Sequence, residues 1–271
     1  MRILLFGGGL GNQIFQYAFY CYLRRRFPKE KVFGVYNKFW LREHNGLEIN
    51  KRFNVALPSR NFLIDLLSGL LYFLKIVHPK TKLLDLSTRI FQNENALFLN
   101  AYKLNHSFIP EGSDWISFKK FSLSGQNLHV YRKIKSTQSI FIHVRRGDYL
   151  SEKYKHRFEN TCTVEYYRKA LSVIYEKVED PVFFCFSDDI EWMKLNLALD
   201  NATFIDWNTG ADSYIDMYLM SQCYGGIIAN STFSYWGARL GLAKNLILYP
   251  QRWINSDLGQ PDIFPEGWVE I

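Results

Sequence analysis

The pattern of apolar and polar positions changes character along the chain. It opens with "RILLF" at 2–6, an unbroken apolar run of the kind a buried strand shows, and glycines follow at once. "NQIFQYAFYCYLRRRF" at 12–27 then places apolar residues at helical spacing and stops before Pro28. "KVFGVY" at 31–36 is a second apolar run. Strand, glycine loop, helix and strand in that order predict the start of a parallel α/β domain. Between about 40 and 135 the pattern is less regular. Helices are expected at 60–77 and 81–92, and no strand is assigned there.

From 138 the alternation is clear. "SIFIHV", "PVFFCFS", "ATFID", "GGIIAN" and "NLILYP" read as strands. Between them "TVEYYRKALSVIYEKV", "DDIEWMKLNLAL", "DSYIDMYLMSQC" and "STFSYWGARLGLA" read as helices, the first with Thr163 as its N-cap. Strand and helix repeated in this way predict a doubly wound sheet over 138–250. The expected architecture is two α/β domains, 1–136 and 137–271, with ligands beyond the carboxyl ends of the strands.

Composition narrows the function classes. The 271 residues are 48% hydrophobic and 22% charged, which is globular. Aromatics reach 17%, and most are read as core, although sugar-binding surfaces also use rings. A net charge of +7 suits nucleic acid, an anionic membrane surface or a phosphorylated ligand. The basic clusters, Arg24 to Arg26 and Lys119 with Lys120, are too short for a nucleic-acid arm, so no nucleic-acid partner is expected. Cys21, Cys162, Cys185 and Cys223 form no CxxC pair and give no zinc signature. Cys185 and Cys223 sit in apolar runs, as reduced thiols of a cytosolic protein do. "MRILLFGGGLG" is not a signal peptide. "FLIDLLSGLLYFLKIV" at 62–77 is short for a membrane span and carries Asp65; a buried helix is expected, with a membrane-surface contact as the alternative.

"FIHVRRGDYL" at 141–150 runs an apolar strand into two arginines, a glycine and an aspartate. An adhesion tripeptide would need an exposed loop tip, whereas this one ends a strand. His143, Arg145 and Asp148 therefore stand where a site is expected. Arginine suits a diphosphate, because its planar fork offers two donors and a permanent charge. Arg145 and Arg146 should point to opposite faces, Arg145 with His143 toward the ligand and Arg146 toward a carboxylate such as Asp148. Ser231, Thr232, Phe233 and Ser234 open a helix after a strand, a place for phosphate oxygens as well as for simple capping. Ser187, Asp188 and Asp189 are read as a helix N-cap with acidic first-turn residues.

"GGGLGNQ" at 7–13 fails the dinucleotide fingerprint, since counting from Gly7 the last glycine falls on Asn12. The acid expected after the second strand is replaced by Asn37. The glycines still imply positive φ or a close approach. There is no DxD, HExxH or GxSxG, so no metal or other cofactor is expected, and Arg145 and a helix N-terminus are left to neutralise a diphosphate.

"GGGLGNQIFQYA", "HVRRGDY" and "DMYLMSQCYGGIIANSTFSYWGA" together resemble the α-1,2-fucosyltransferases of the bacterial and animal type, the glycosyltransferase family 11 type. The resemblance implies a GT-B-like fold, two Rossmann-like domains facing across a cleft, the first on the acceptor side and the second binding GDP-fucose. It implies metal-free, inverting transfer of fucose from GDP-fucose to the 2-hydroxyl of a β-galactoside. It also implies that Arg145 holds the β-phosphate, His143 sits at the nucleotide, Asp216 reads guanine and Ser231 to Ser234 touch phosphates. Gly11, Asn12 and Gln13 would lie near the diphosphate and acceptor. Asp148 is a candidate base or a structural partner of Arg146, and the relatives' base position falls here on Lys153 beside Glu152. Animal members are anchored in the Golgi; here the sequon at Asn230 lies inside the phosphate motif, which points to a cytoplasmic bacterial enzyme. Its acceptor would be a surface oligosaccharide, with a lipid-linked acceptor and a peripheral contact at the inner membrane left open. The rival readings are another nucleotide-sugar transferase on the same frame, or a non-catalytic nucleotide- or glycan-binding module.

Overall fold

In the computed structural model the described residues are 1–36, 41, 44–73, 98–100, 104–112, 114–241, 246–255 and 260–271. The helix expected at 81–92 lies outside them. The chain divides into two compact units, Met1–Lys119 and Lys120–Ile271.

The first unit holds a parallel three-stranded sheet in the order β2-β1-β3, from β1 (Arg2–Leu5), β2 (Val32–Val35) and β3 (Phe98–Asn100). Helix α1 (Leu10–Arg26) crosses from β1 to β2 and buries Phe19 and Leu23 against Leu4, Phe6 and Val32. Its last turn carries Arg24, Arg25 and Arg26, where cations complement the helix dipole. The strand β3 went unassigned because three residues show no period.

Helix α2 (Phe62–Phe73) forms within the expected 60–77 span but is not the buried helix anticipated. Phe62, Leu63, Leu66, Leu67 and Leu70 are exposed, while Ser68 is fully buried. Apolar residues surround this helix, and only one side can pack inward.

In the second unit, α3 (Gly125–Lys135) buries Val130 and Ile134. The division thus falls at 119/120 rather than at 136/137, because α3 packs within the second unit: Tyr131 stacks on Tyr218 of α6 (Tyr214–Gln222) at 6.1 Å.

All five expected strands form: β4 (Ser139–Val144), β5 (Val182–Ser187), β6 (Ala202–Ile205), β7 (Gly225–Ile227) and β8 (Leu246–Tyr249). A sixth, β9 (Val269–Glu270), was too short to read. The sheet is parallel throughout, in the order β6-β5-β4-β7-β8-β9. Counted within the unit this is 3-2-1-4-5-6, and the order reverses between β4 and β7. All six residues of β4 are buried. Gly226 of β7 admits the Phe141 ring of β4, which a Cβ would strike.

Helices α4 (Val164–Lys177), α5 (Ile190–Asn196) and α7 (Thr232–Arg239) are capped by Thr163, Asp189 and Ser231. α4 packs Tyr167, Ala170 and Ile174 with Ile140, Ile142, Phe183 and Met193. The four cysteines are free thiols, and Cys185 and Cys223 are buried as expected.

Candidate functional site

The strand order reverses between β4 and β7, and in such sheets ligands bind beyond the carboxyl ends of the strands at the point of reversal. Both strands end in polar residues that the sequence singles out.

On β4, the register aligns Val144 with Ser187, so Arg145 emerges beside Asp188 and Arg146 beside Asp189. Arg145 reaches Asp188 Oδ2 with Nη1 at 3.0 Å and Asp148 Oδ1 with Nη2 at 2.8 Å. Arg146 turns the other way: its Nε meets Asp189 Oδ2 at 3.1 Å and its guanidinium lies 4.4 Å from the Trp192 ring centroid. The two arginines diverge as expected, but the Arg146–Asp148 pair is replaced. Asp148 meets Arg145, and Arg146 takes Asp189 because the next strand lies in register alongside. Of Ser187, Asp188 and Asp189, read together as a cap with acidic first-turn residues, Asp189 is the cap, its carboxylate accepting from Trp192 N at 3.1 Å, and Asp188 stands before the helix. Asp188 instead accepts from the Arg146 amide at 2.8 Å and sits so near Gly147 that a Cβ there would lie 2.7 Å from its Oδ2.

His143 is buried, and Tyr167 of α4 donates its hydroxyl to the His143 carbonyl at 3.0 Å. Burial lowers the imidazole pKa against the pull of Asp188, which keeps the ring neutral. Its Nδ1 is buried with no hydrogen-bond partner, and its ring lies 6.0 Å from that of Phe233. A buried nitrogen without a partner is rare in a folded protein.

Phe233 belongs to the first turn of α7. Ser231 caps that turn, its Oγ accepting from Phe233 N at 3.3 Å. Ser234 is fully buried, its hydroxyl within 3.3 Å and 3.4 Å of the Ser231 and Ala229 carbonyls, so it pins the loop from within. Asn230 is buried, donates to the Trp253 carbonyl at 2.9 Å, and so offers no accessible sequon amide. Tyr149 donates to the Asn230 carbonyl at 3.2 Å and ties the turn after β4 to the loop after β7. His143, Arg145, Asp148 and the N-terminus of α7 are thereby brought to one place.

Asp216 belongs to a different network, on α6. Asn208 Nδ2 donates to its Oδ1 at 2.6 Å. Asn127 and Asn208 exchange amide hydrogen bonds at 2.8 Å and 2.9 Å, and Trp207 Nε1 donates to Asn127 at 2.9 Å. Burial pushes the Asp216 carboxyl up to about 7, against the opposing effect of the Asn208 hydrogen bond. Nothing in the sequence marked Asn127, Trp207 or Asn208, which lie far apart or in a loop. Asp188 could have been found, because "FSDD" ends the strand directly after the one that ends in "HVRRGD".

In the first unit the glycine loop lies beyond the carboxyl end of β1. Gly8 has φ 75°, and a Cβ there would lie 2.5 Å from Asn12 Nδ2. Gln16 clamps Gly7, accepting from its amide at 3.1 Å and donating to its carbonyl at 2.9 Å. Gln13 donates to the carbonyls of Gly8 at 2.9 Å and Gly46 at 2.8 Å. Its Oε1 accepts from Glu48 N at 2.9 Å and Ile49 N at 3.1 Å. That uses every donor and acceptor of the amide, so Gln13 fixes the loop. Gly11 is buried in the first turn of α1, beside the half-buried Asn12.

Among the described residues no three His, Cys, Asp or Glu side chains gather as metal ligands. Residues 117–271 match the model of a family described as glycosyl transferase family 11. The chain is similar to the O-antigen biosynthesis glycosyltransferase WbnK of Escherichia coli, at 27% identity over 97% of this chain and 98% of that protein. It is similar also to an alpha-1,2-colitosyltransferase of Escherichia coli, at 31% identity over 97% and 96%. Among solved structures it resembles NodZ alpha-1,6-fucosyltransferase soaked with GDP-fucose, with a TM-score of 0.54 and 14% identity over 89% of this chain and 92% of that one. At that identity the likeness concerns the fold, the parallel-sheet α/β fold of the GT-B type.

Proposed function

The chain belongs to glycosyl transferase family 11, the α-1,2-fucosyltransferase family, and from that premise we propose that it transfers L-fucose from GDP-fucose to the 2-hydroxyl of a terminal β-galactoside. The observation that carries this reading is the meeting of Arg145, the orphan His143 Nδ1 and the α7 N-terminus at the point where the strand order reverses. The second unit takes the donor and the first unit the acceptor.

Arg145 holds the β-phosphate through its fork, and the positive end of α7, at Thr232 and Phe233, adds to the attraction. His143, being neutral, donates to or accepts from the nucleotide without adding charge. Ser231 and Ser234 hold the turn in shape, and Asp216 accepts from the guanine N1 and N2 groups. The glycine loop at Gly11 and Asn12 serves the acceptor and diphosphate, with Gln13 holding it rigid.

The acceptor oxygen forms its bond to the sugar C1 from the face opposite the diphosphate. The C1–oxygen bond breaks, and its electron pair leaves on the β-phosphate of GDP. Configuration inverts in one displacement. Asp148 takes the acceptor proton, which requires its carboxylate to loosen from Arg145 as the guanidinium turns to the phosphate. Negative charge grows on the leaving phosphate, so Arg145 acts more strongly in the transition state than in the ground state.

The similarity to an O-antigen biosynthesis glycosyltransferase supports a surface polysaccharide as the acceptor, and the similarity to a colitosyltransferase favours one second reading. Colitose lacks a hydroxyl that fucose has, and a site built to bond that hydroxyl discriminates strongly. Purified protein is to be given GDP-fucose and GDP-colitose in competition with a β-galactoside, and the product linkage read by NMR. A 1,2-linked fucoside is expected. Exclusive use of colitose moves the donor assignment to the second reading. Use of a UDP-sugar, or nucleotide binding without turnover, rejects both.

A further inference from the structure

We propose that the exposed face of α2 docks the protein on an anionic lipid bilayer surface. Phe62 is 79% exposed, Leu63 71%, Leu66 62%, Leu67 46% and Leu70 54%. At helical spacing these five form one stripe, with the fully buried Ser68 on the opposite side. Asn61 accepts from Ile64 N at 3.1 Å, and Arg60 meets Asp65 Oδ2 at 2.7 Å at the start of the helix. A stripe of Phe and Leu along a surface helix is the apolar half of an interfacial anchor. The helix has 12 residues, too few to cross a bilayer.

Charge selects the occupant. Residues 1–119 carry seventeen Lys and Arg against eight Asp and Glu, while residues 120–271 carry sixteen against eighteen. The whole basic excess lies in the unit that bears the stripe. The sequence after the helix adds Lys75, Lys80 and Lys82 before the next acid, Asp85. Apolar insertion combined with positive charge is the pairing that anionic headgroups attract. A second copy fits poorly, because pairing this face with itself would oppose two basic units. Five side chains are also far short of the roughly 20–30 residues a side of a stable dimer. This inference does not rest on the donor or acceptor assignment.

The test is vesicle flotation of the full chain with phosphatidylethanolamine–phosphatidylglycerol vesicles and with phosphatidylcholine vesicles. The protein should float with the anionic vesicles, be released by salt, and stay behind with the neutral ones. Leu66→Glu combined with Leu67→Glu should cut the floated fraction by about tenfold, as should the milder Leu63→Ser with Phe62→Ser. Thermal unfolding should show each variant as stable as the parent, because these side chains are exposed. The proposal is overturned if the protein ignores anionic vesicles, binds both kinds equally, or floats undiminished with the stripe removed. A dimer seen by light scattering that the same substitutions dissolve would also overturn it, assigning the face to a second copy.

Discussion

Arg145 and Arg146 are adjacent in sequence and opposite in use. Arg145→Lys keeps a charge but loses the fork, and kcat is expected to fall by about 100-fold in steady-state kinetics, the scale of removing one preorganised donor. Arg146→Lys loses its place over Trp192 and its hold on Asp189, the cap of α5. It should cost about 1 kcal/mol in chemical denaturation and leave kcat largely intact. Exchanged phenotypes would overturn the assignment. Asp216 gives a test of a different kind. Its folded pKa of about 7 stands above the ordinary value of 3.8, so the protonated form favours the fold. That contribution is full below 3.8 and is lost as pH rises through about 7, and Asp216→Asn should therefore be more stable than the parent only on the alkaline side. GDP affinity should run the other way and strengthen as pH rises through about 7, because guanine donors need the carboxylate. Calorimetry showing a flat pH profile, with Asp216→Asn binding GDP as the parent does, would remove the guanine contact.

Among the elements, the turn after β4 shows what sequence can and cannot convey. Its location was legible, because an unbroken apolar run ending in charge marks a strand end. Its pairings were not, because Asp188 comes from the next strand and reaches Arg145 only through the β4–β5 register. The same holds for Gln13, legible as a motif residue but showing its four backbone bonds only once Gly46 and Glu48 are folded beside it. Gly147 depends on that register too. Gly147→Ala would place a methyl 2.7 Å from Asp188 Oδ2, pushing that carboxylate off Arg145. The expected result is a loss of kcat of about 10-fold or more with the fold retained by circular dichroism, since misplacing a charge costs rate before it costs stability. An unchanged kcat would mean that Asp188 does not position Arg145.

For the whole molecule, the four strand–helix units of the second half were legible because strands covered on both faces leave continuous apolar runs between polar turns. The sheet order was not, since β4 pairs with β7 across more than 80 residues, and β3 and β9 are too short to carry a period. The exposed stripe of α2 was misread as core because hydropathy says what is apolar and not what covers it. At this scale the proposed donor site leaves the diphosphate charge to Arg145 and a helix end, and on that proposal EDTA should leave turnover unchanged; strict dependence on magnesium or manganese would refute it.

The strand β4 is bonded along both edges and buried along its whole length, and the chain passes from it at once into a half-exposed turn. This sets a steep gradient in local opening. Amide hydrogens of Ile140 to Val144 should exchange with solvent deuterium only when the unit unfolds as a whole, those of Arg146 to Ser151 by local fluctuation. Donor binding should then slow exchange in the turn and leave the strand beneath it unchanged.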